Sequence, residues 1–255
     1  MAERQWVFIC GCSRSGTSAT ALLLRSHPNV AMGTERYASR LRSQKYLTPD
    51  LFEKDRFCRN RIDGDSHQNH LNWYYDQLYQ RFDDCTHIGD KIPDMHPHFA
   101  AMRENFPGAK FLFMLRHVQP VANSFEVRSL EAGPERAWPA NRDGFVAVNE
   151  WNQSMRDVEA AMTSDDIRVV DYDRLFKSDD LLREILGFLS LELTPEIRAF
   201  WRKGVRKRRV IDGKVRNSLS AAHLANIEKN ADLDMYKRLL AASENQAASS
   251  TQARR

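Results

Sequence analysis

The 255-residue sequence has no apolar run long enough to span a bilayer. Its first residues, Met1-Ala2-Glu3-Arg4-Gln5, lack the basic stretch and apolar core of a secretory leader. A cytoplasmic protein with no transmembrane segment is the expectation. Cysteine is scarce: Cys10, Cys12, Cys58 and Cys85 are scattered, form no C-x-x-C and complete no zinc site, which points to reduced thiols. His87, His96 and His98 lie close together without a partner cysteine or a convincing carboxylate set, so no metal is expected. A strong charge of one sign is also missing. With 38 Lys and Arg against 34 Asp and Glu, the chain is only mildly basic. That suits an anionic ligand at a local site better than the coating of nucleic acid, and no nucleic-acid partner is expected.

One further absence is the most informative. The apolar run Trp6-Val7-Phe8-Ile9-Cys10 reads as a buried parallel strand, and Ala19 to Leu24 reads as helix. Between them, Gly11, Gly16 and Ser18 satisfy the phosphate-cradle spacing G-x-x-x-x-G-x-[ST], but Thr17 stands where an ATP or GTP cradle carries lysine. That lysine reaches the β- and γ-phosphates, and the hydroxyl after it holds magnesium. Thr17 brings a donor without charge, while Arg14 supplies a permanently charged, planar one inside the loop. The loop therefore suits a smaller anionic group handled without a metal, bound by inward N–H groups and the helix start.

The length suits one α/β domain, a central mostly parallel sheet between helices, over 1–241, with a helical insertion at about 37–84. Asn29-Val30-Ala31-Met32 reads as a second strand, followed by Gly33-Thr34-Glu35. Thr86-His87-Ile88-Gly89 reads as a third, ending in Asp90-Lys91-Ile92-Pro93. In open parallel sheets ligands sit beyond the carboxyl ends of strands, which directs Glu35 and Lys91 toward the same crevice as the loop. Lys110 to Leu115 is the clearest buried strand; it ends on Arg116, and Pro120 opens a helix carrying Ser124 and Arg128. Those two are four apart, one turn on the same face, so both can close on one anion. Two anion sites on one crevice suit a nucleotide with phosphates at two positions. Within the insertion, Leu71, Tyr74, Tyr75, Leu78 and Phe82 fall at helical spacing as a packing face, and Asp63-Gly64-Asp65 marks a turn.

Taken together these motifs resemble the 3′-phosphoadenosine 5′-phosphosulfate (PAPS)-dependent sulfotransferases. Arg14-Ser15-Gly16-Thr17-Ser18 is similar to their 5′-phosphosulfate loop, usually R-S-G-T-T or K-S-G-T-T. Arg116 with Ser124 eight residues on resembles their 3′-phosphate motif, with Arg128 where some members carry a further arginine. Gly89 to Pro93 is like the lysine-proline segment, and Val170-Asp171-Tyr172-Asp173-Arg174-Leu175 like the stretch beside the adenine. The layout is nearest to the tyrosyl-protein sulfotransferases, where a catalytic glutamate lies 21 positions after the loop arginine, the spacing from Arg14 to Glu35. The match spans 6–193. Ser13 departs from the usual loop proline, and His117 from the acidic residue that often follows the 3′-site arginine.

The resemblance implies a P-loop-like three-layer sandwich and in-line sulfonate transfer from PAPS to a hydroxyl acceptor without a metal. It implies Glu35 as general base, with Lys91 and Arg14 stabilising developing charge. Ser15, Gly16, Thr17 and Ser18 would hold the 5′ side, Arg116, Ser124 and Arg128 the 3′-phosphate, and Tyr172 the base. The acceptor stays open among a phenol, an alcohol, a glycan, a lipid and a peptide tyrosine. A P-loop nucleotide kinase and a non-catalytic nucleotide- or nucleic-acid-binding module are the alternatives. Beyond this region, Phe145 to Met162 reads as an amphipathic helix, 167–170 as a strand, 181–189 as a helix, and Thr194-Pro195 as a helix start. Arg202 to Arg216 is the most basic segment, either a lid over the nucleotide or a solvated face. Leu224 to Leu240 suggests a helical hairpin, and 242–255 reads as a disordered tail.

Overall fold

The computed structural model describes residues 4–60, 62, 64–66, 71–131, 138–212 and 217–252. In chain order, Gln5–Cys10 (β1), Thr17–Arg25 (α1) and Val30–Met32 (β2) are followed by the helices Ala38–Gln44 (α2), Lys54–Cys58 (α3) and Asn72–Arg81 (α4). Then come His87–Gly89 (β3), Phe99–Asn105 (α5), Lys110–Leu115 (β4), Val118–Leu130 (α6) and Gly144–Ala161 (α7). Ile167–Asp171 (β5), Tyr172–Leu175 (α8), Asp180–Phe188 (α9), Pro195–Asp212 (α10), Ala221–Asn230 (α11) and Leu233–Gln252 (α12) complete the order.

The five strands form one parallel sheet in the order β2-β3-β1-β4-β5. Alternation along β1 divides its side chains between two cores. Phe8 and Cys10 pack with Trp151, Phe111 and Tyr37, whereas Val7 and Ile9 pack with Leu23, Leu112 and Ile185. Both faces are covered, which is why β1 and β4 read as unbroken apolar runs rather than alternating ones. Because all strands run the same way, the loops after β1 to β5 emerge along a single rim. Along that rim lie the segments that bear Arg14, Glu35, Lys91, Arg116 and Tyr172.

Both sheet edges are closed by side chains. On β2, the Tyr74 hydroxyl accepts from Met32 N–H at 3.2 Å and donates to Met32 C=O at 2.9 Å, while Arg81 donates to Val30 C=O at 3.1 Å. On β5, Gln246 accepts from Val169 N–H at 3.2 Å and donates to Ile167 C=O at 2.8 Å, and Ser243 donates to Val169 C=O at 3.0 Å. Exposed ladder groups would otherwise invite pairing with another chain.

Two sequence expectations are corrected here. The stretch from Ala242 is helical through Gln252, because Ser243 and Gln246 have strand-edge partners that composition cannot reveal. Helix α6 begins at Val118, ahead of Pro120. His117 caps it by accepting from Gln119 N–H, and a first-turn proline lacks only an N–H that would go unpaired. The basic segment belongs to α10 through Asp212, and its continuation at 213–216 lies outside the described residues, as does Asp63. The stripe Leu71, Tyr74, Tyr75, Leu78 and Phe82 is buried as a packing face.

The insertion is anchored by one carboxylate. Asp65 has no exposed side-chain surface and meets Arg36 at 3.3 Å, Arg40 at 3.3 Å and Arg56 at 2.6 Å. Removing a carboxylate from such a cluster leaves buried guanidinium charge without a counterion. Asp65→Ala is therefore expected to lower unfolding free energy by about 3–5 kcal/mol, read from urea denaturation midpoints at pH 7.

Candidate active site

The loop after β1 is shaped by three residues with positive φ, Gly11 at 134°, Arg14 at 68° and Gly16 at 100°. Gly16 is required twice over. Beyond its φ, a Cβ there would lie 2.1 Å from the Tyr172 ring, so the loop and the end of β5 are in backbone-to-ring contact. Ser15 is buried between them, and its Oγ has no hydrogen-bond partner among the described residues.

Arg14 joins the two halves of the rim. Its Nε donates to Ser124 Oγ on α6 at 2.9 Å, and its carbonyl accepts from Arg116 at 3.4 Å. The Arg116 guanidinium lies 5.0 Å from the centre of the Tyr172 ring and 3.7 Å from Asp173. Its buried Nε makes no hydrogen bond. Burial, followed by the neighbouring Arg128 and Arg116 charges, lowers the Arg14 pKa from its ordinary value. Three guanidinium groups sharing one field, beside a buried hydroxyl without a hydrogen-bond partner, make a set of donors suited to a multiply charged anion.

A cavity of about 470 Å³ opens on this rim, with Arg14, Thr17, Ser18, Glu35, Lys91 and Arg128 in its wall. Arg116 and Ser124 lie behind that wall in contact with Arg14, and Tyr172 packs on Gly16. Of the residues singled out in the sequence, Arg14, Thr17, Ser18, Glu35, Lys91 and Arg128 share the cavity wall, while Ser15, Gly16, Arg116, Ser124 and Tyr172 lie outside it. The Lys91 ammonium, 1% exposed, is ion-paired with Glu35, which is one-third exposed. Backbone bonds fix the pair's geometry: Glu35 N–H donates to Lys91 C=O at 2.7 Å, and Lys91 extends the sheet through a bridge to Ile9.

Other wall residues carried no signal in the sequence. Arg142 donates to Ser13 Oγ at 3.0 Å, forks onto Glu150 at 2.8 and 2.5 Å, and lies 4.4 Å from the Trp138 ring centre. Arg42 of α2 pairs with Asp94 at 2.6 Å. Both arginines come from segments far along the chain from the loop. Asp90, next to Lys91, is wholly buried, and burial pushes its carboxyl up to about 7.

The candidate metal residues are used otherwise. His87 bonds Leu189 C=O at 2.6 Å and His96 bonds Asp157 at 2.7 Å. Among the described residues no group of three or more His, Cys, Asp or Glu is placed to hold a metal ion. All four cysteines are free and buried, and burial raises the Cys10, Cys12 and Cys58 thiols above their ordinary range. Among the described residues no helix is long and apolar enough to cross a membrane.

A parallel α/β sheet with an arginine-rich cleft at its carboxyl rim defines an enzyme class that handles anionic groups. A sequence model of the sulfotransferase family matches residues 6–196, and the chain belongs to that family. It is accordingly an enzyme of sulfonate transfer, in a family that uses a PAPS-type donor and a hydroxyl-type acceptor. Solved structures of similar fold include a sulfotransferase domain from the curacin biosynthetic pathway, with 18% identity, TM-score 0.50, and 76% of each chain covered. A sulfotransferase domain from the Synechococcus PCC 7002 olefin synthase is 19% identical, with TM-score 0.50, covering 77% of this chain and 78% of that one. Sulfotransferase STF9 from Mycobacterium avium is 13% identical, with TM-score 0.50, covering 95% and 76%. No curated protein matches the chain in sequence.

The buried Asp90 gives a pH signature. Its folded-state pKa of about 7 lies above the ordinary aspartate value, so between the two the folded protein keeps a proton that the unfolded chain has released. This contribution is complete in acid and is lost as pH rises through about 7. Urea midpoints measured from pH 4 to 8 are expected to fall for the wild type relative to Asp90→Asn as pH increases.

Proposed function

We propose that this enzyme moves the sulfonate of 3′-phosphoadenosine 5′-phosphosulfate onto an acceptor hydroxyl by in-line displacement, with Glu35 as general base. The observation that carries the reading is the convergence of Arg14, Arg116, Arg128, Glu35 and Lys91 at one end of one sheet. The donor is doubly anionic at two ends. Ser15, Gly16, Thr17 and Ser18 with Arg14 would take its 5′ side, and Arg116, Ser124 and Arg128 its 3′-phosphate. Tyr172, packed on Gly16 and beside Arg116, offers its ring to the adenine. Ser15 Oγ, buried without a hydrogen-bond partner among the described residues, is consistent with that fit.

In the reaction an acceptor oxygen–sulfur bond forms as the sulfur–oxygen bond to the 5′-phosphate breaks. Glu35 takes the acceptor proton. Lys91 and Arg14 balance the charge that grows on the departing bridging oxygen and on the equatorial oxygens. Lys91 begins in contact with Glu35, so the group that removes the proton and the group that meets the leaving oxygen are held side by side. A sulfonate carries less charge than a terminal phosphate. A threonine at 17 is then adequate where a nucleoside triphosphate would need lysine and magnesium. The acceptor's chemical class stays open; Arg42, Trp138 and Arg142 also line the cavity and are the candidates for choosing it.

Adenosine 3′,5′-bisphosphate without magnesium is expected to raise the melting temperature, and Mg-ATP to leave it unchanged. Preferential stabilisation by Mg-ATP would overturn the reading. Glu35→Ala should keep bisphosphate affinity while turnover falls by roughly 10²–10⁴-fold. Arg116→Ala should weaken the bisphosphate by roughly ten- to a hundred-fold in calorimetric titration, through loss of a charged hydrogen-bond donor.

A further inference from the structure

Glu35 occupies an improbable backbone position. It is a non-glycine residue at φ 53°, inside the bend that follows β2. Left-handed backbone at such a residue persists only where its surroundings over-determine it. What holds it there is the segment Asp90-Lys91. Asp90 is itself rigid, since its carbonyl accepts from Ile9 N–H of the central strand at 3.2 Å. Lys91 C=O takes the Glu35 N–H at 2.7 Å. The Asp90 carboxylate, completely buried, reaches past Glu35 and accepts from Tyr37 N–H through Oδ2 at 2.9 Å. The Arg36 amide also favours its charged form. A carboxylate with no exposed surface is expensive to keep, and the hydrogen bond it has comes from a backbone amide of this turn, while Oδ1 has no hydrogen-bond partner among the described residues.

We propose that Asp90 is a positioning residue for the transfer reaction: its carboxylate grips the backbone amide of Tyr37 and so fixes Glu35 against Lys91. The assignment rests on the reading of Glu35 as the base. Asp90 itself does not line the cavity and touches no reacting atom. Its grip is tight on the far side as well. A Cβ added at Gly33 would stand 2.5 Å from Asp90 Oδ1 and 2.9 Å from its Cγ, so the carboxylate fits only because residue 33 has no side chain. The opposite flank of the same turn is held by Arg36, which donates to Phe57 C=O at 3.2 Å and Asn60 C=O at 2.9 Å and pairs with Asp65. With that flank already fixed by the insertion, Asp90 supplies the constraint from the sheet.

Three variants test this, each assayed for kcat, KM, bisphosphate affinity and amide hydrogen exchange. Asp90→Ala should lower kcat about a hundred-fold, as a displaced base does, with bisphosphate affinity unchanged and faster exchange at the Arg36 and Tyr37 amides. Gly33→Ala, which leaves the carboxylate in place but drives it from its seat, should reproduce that pattern and serves if Asp90→Ala does not fold. Asp90→Asn keeps an acceptor oxygen and should restore kcat to within about tenfold of wild type. Wild-type kcat in Asp90→Ala, alongside a Glu35→Ala enzyme that has lost turnover, overturns the proposal. So does an Asp90→Asn enzyme as impaired as Asp90→Ala. If Glu35→Ala keeps its turnover, the base assignment fails instead, and the amide exchange still reports whether Asp90 holds the turn.

Discussion

Guanidinium groups do not gather without something to hold them. Arg14, Arg116 and Arg128 sit close enough for each to disfavour the charge of the first, in a partly buried place where water screens them poorly. The scaffold meets that repulsion with geometry. Arg14 stands in a strained loop, Arg116 follows the last residue of β4, and Arg128 rides α6, which β4 feeds directly. Each is tied to a rigid element that the apolar cores on both faces of the sheet keep in place. The site is therefore a preorganised positive cleft, and its positive field exists before any anion arrives.

Buried carboxylates answer that positive charge at a distance. Asp65 gathers Arg36, Arg40 and Arg56 under the insertion, and Asp90 grips the turn that bears Glu35. Both act on the short segment from Gly33 to Tyr37, one from the sheet and one from the helices laid over it. That segment thus links the insertion to the Glu35–Lys91 pair. Such buried charge contributes less to stability than an apolar replacement of equal volume would, and its use here is to specify where one side chain points.

The strands and the loop were legible because their signals are local. An apolar run ended by glycine, a cradle with threonine in place of lysine, and an arginine just past a strand's end each need only a few consecutive residues. The aromatic stripe from Leu71 to Phe82 was readable for the same reason, since helical spacing declares a buried face. The order of the α12 segment was not. Its alanines and serines are unremarkable by composition, and only the edge of β5 gives Ser243 and Gln246 something to bind. Arg142 and Arg42 were equally silent, being two arginines among many until folding brings them to Ser13 and Asp94.

By itself the sequence determined the parallel α/β plan, the anion-suited loop and the residues at the strand ends, because hydrophobic pattern and glycine placement act over a few positions. Only tertiary structure decided that Arg14 meets Ser124 and Arg116, that Lys91 meets Glu35, and that Asp90 closes on the amide of Tyr37. Those contacts join residues 53 to 110 positions apart in the chain, and their distances follow from how a twisted sheet packs against its helices. No short window of sequence contains that information.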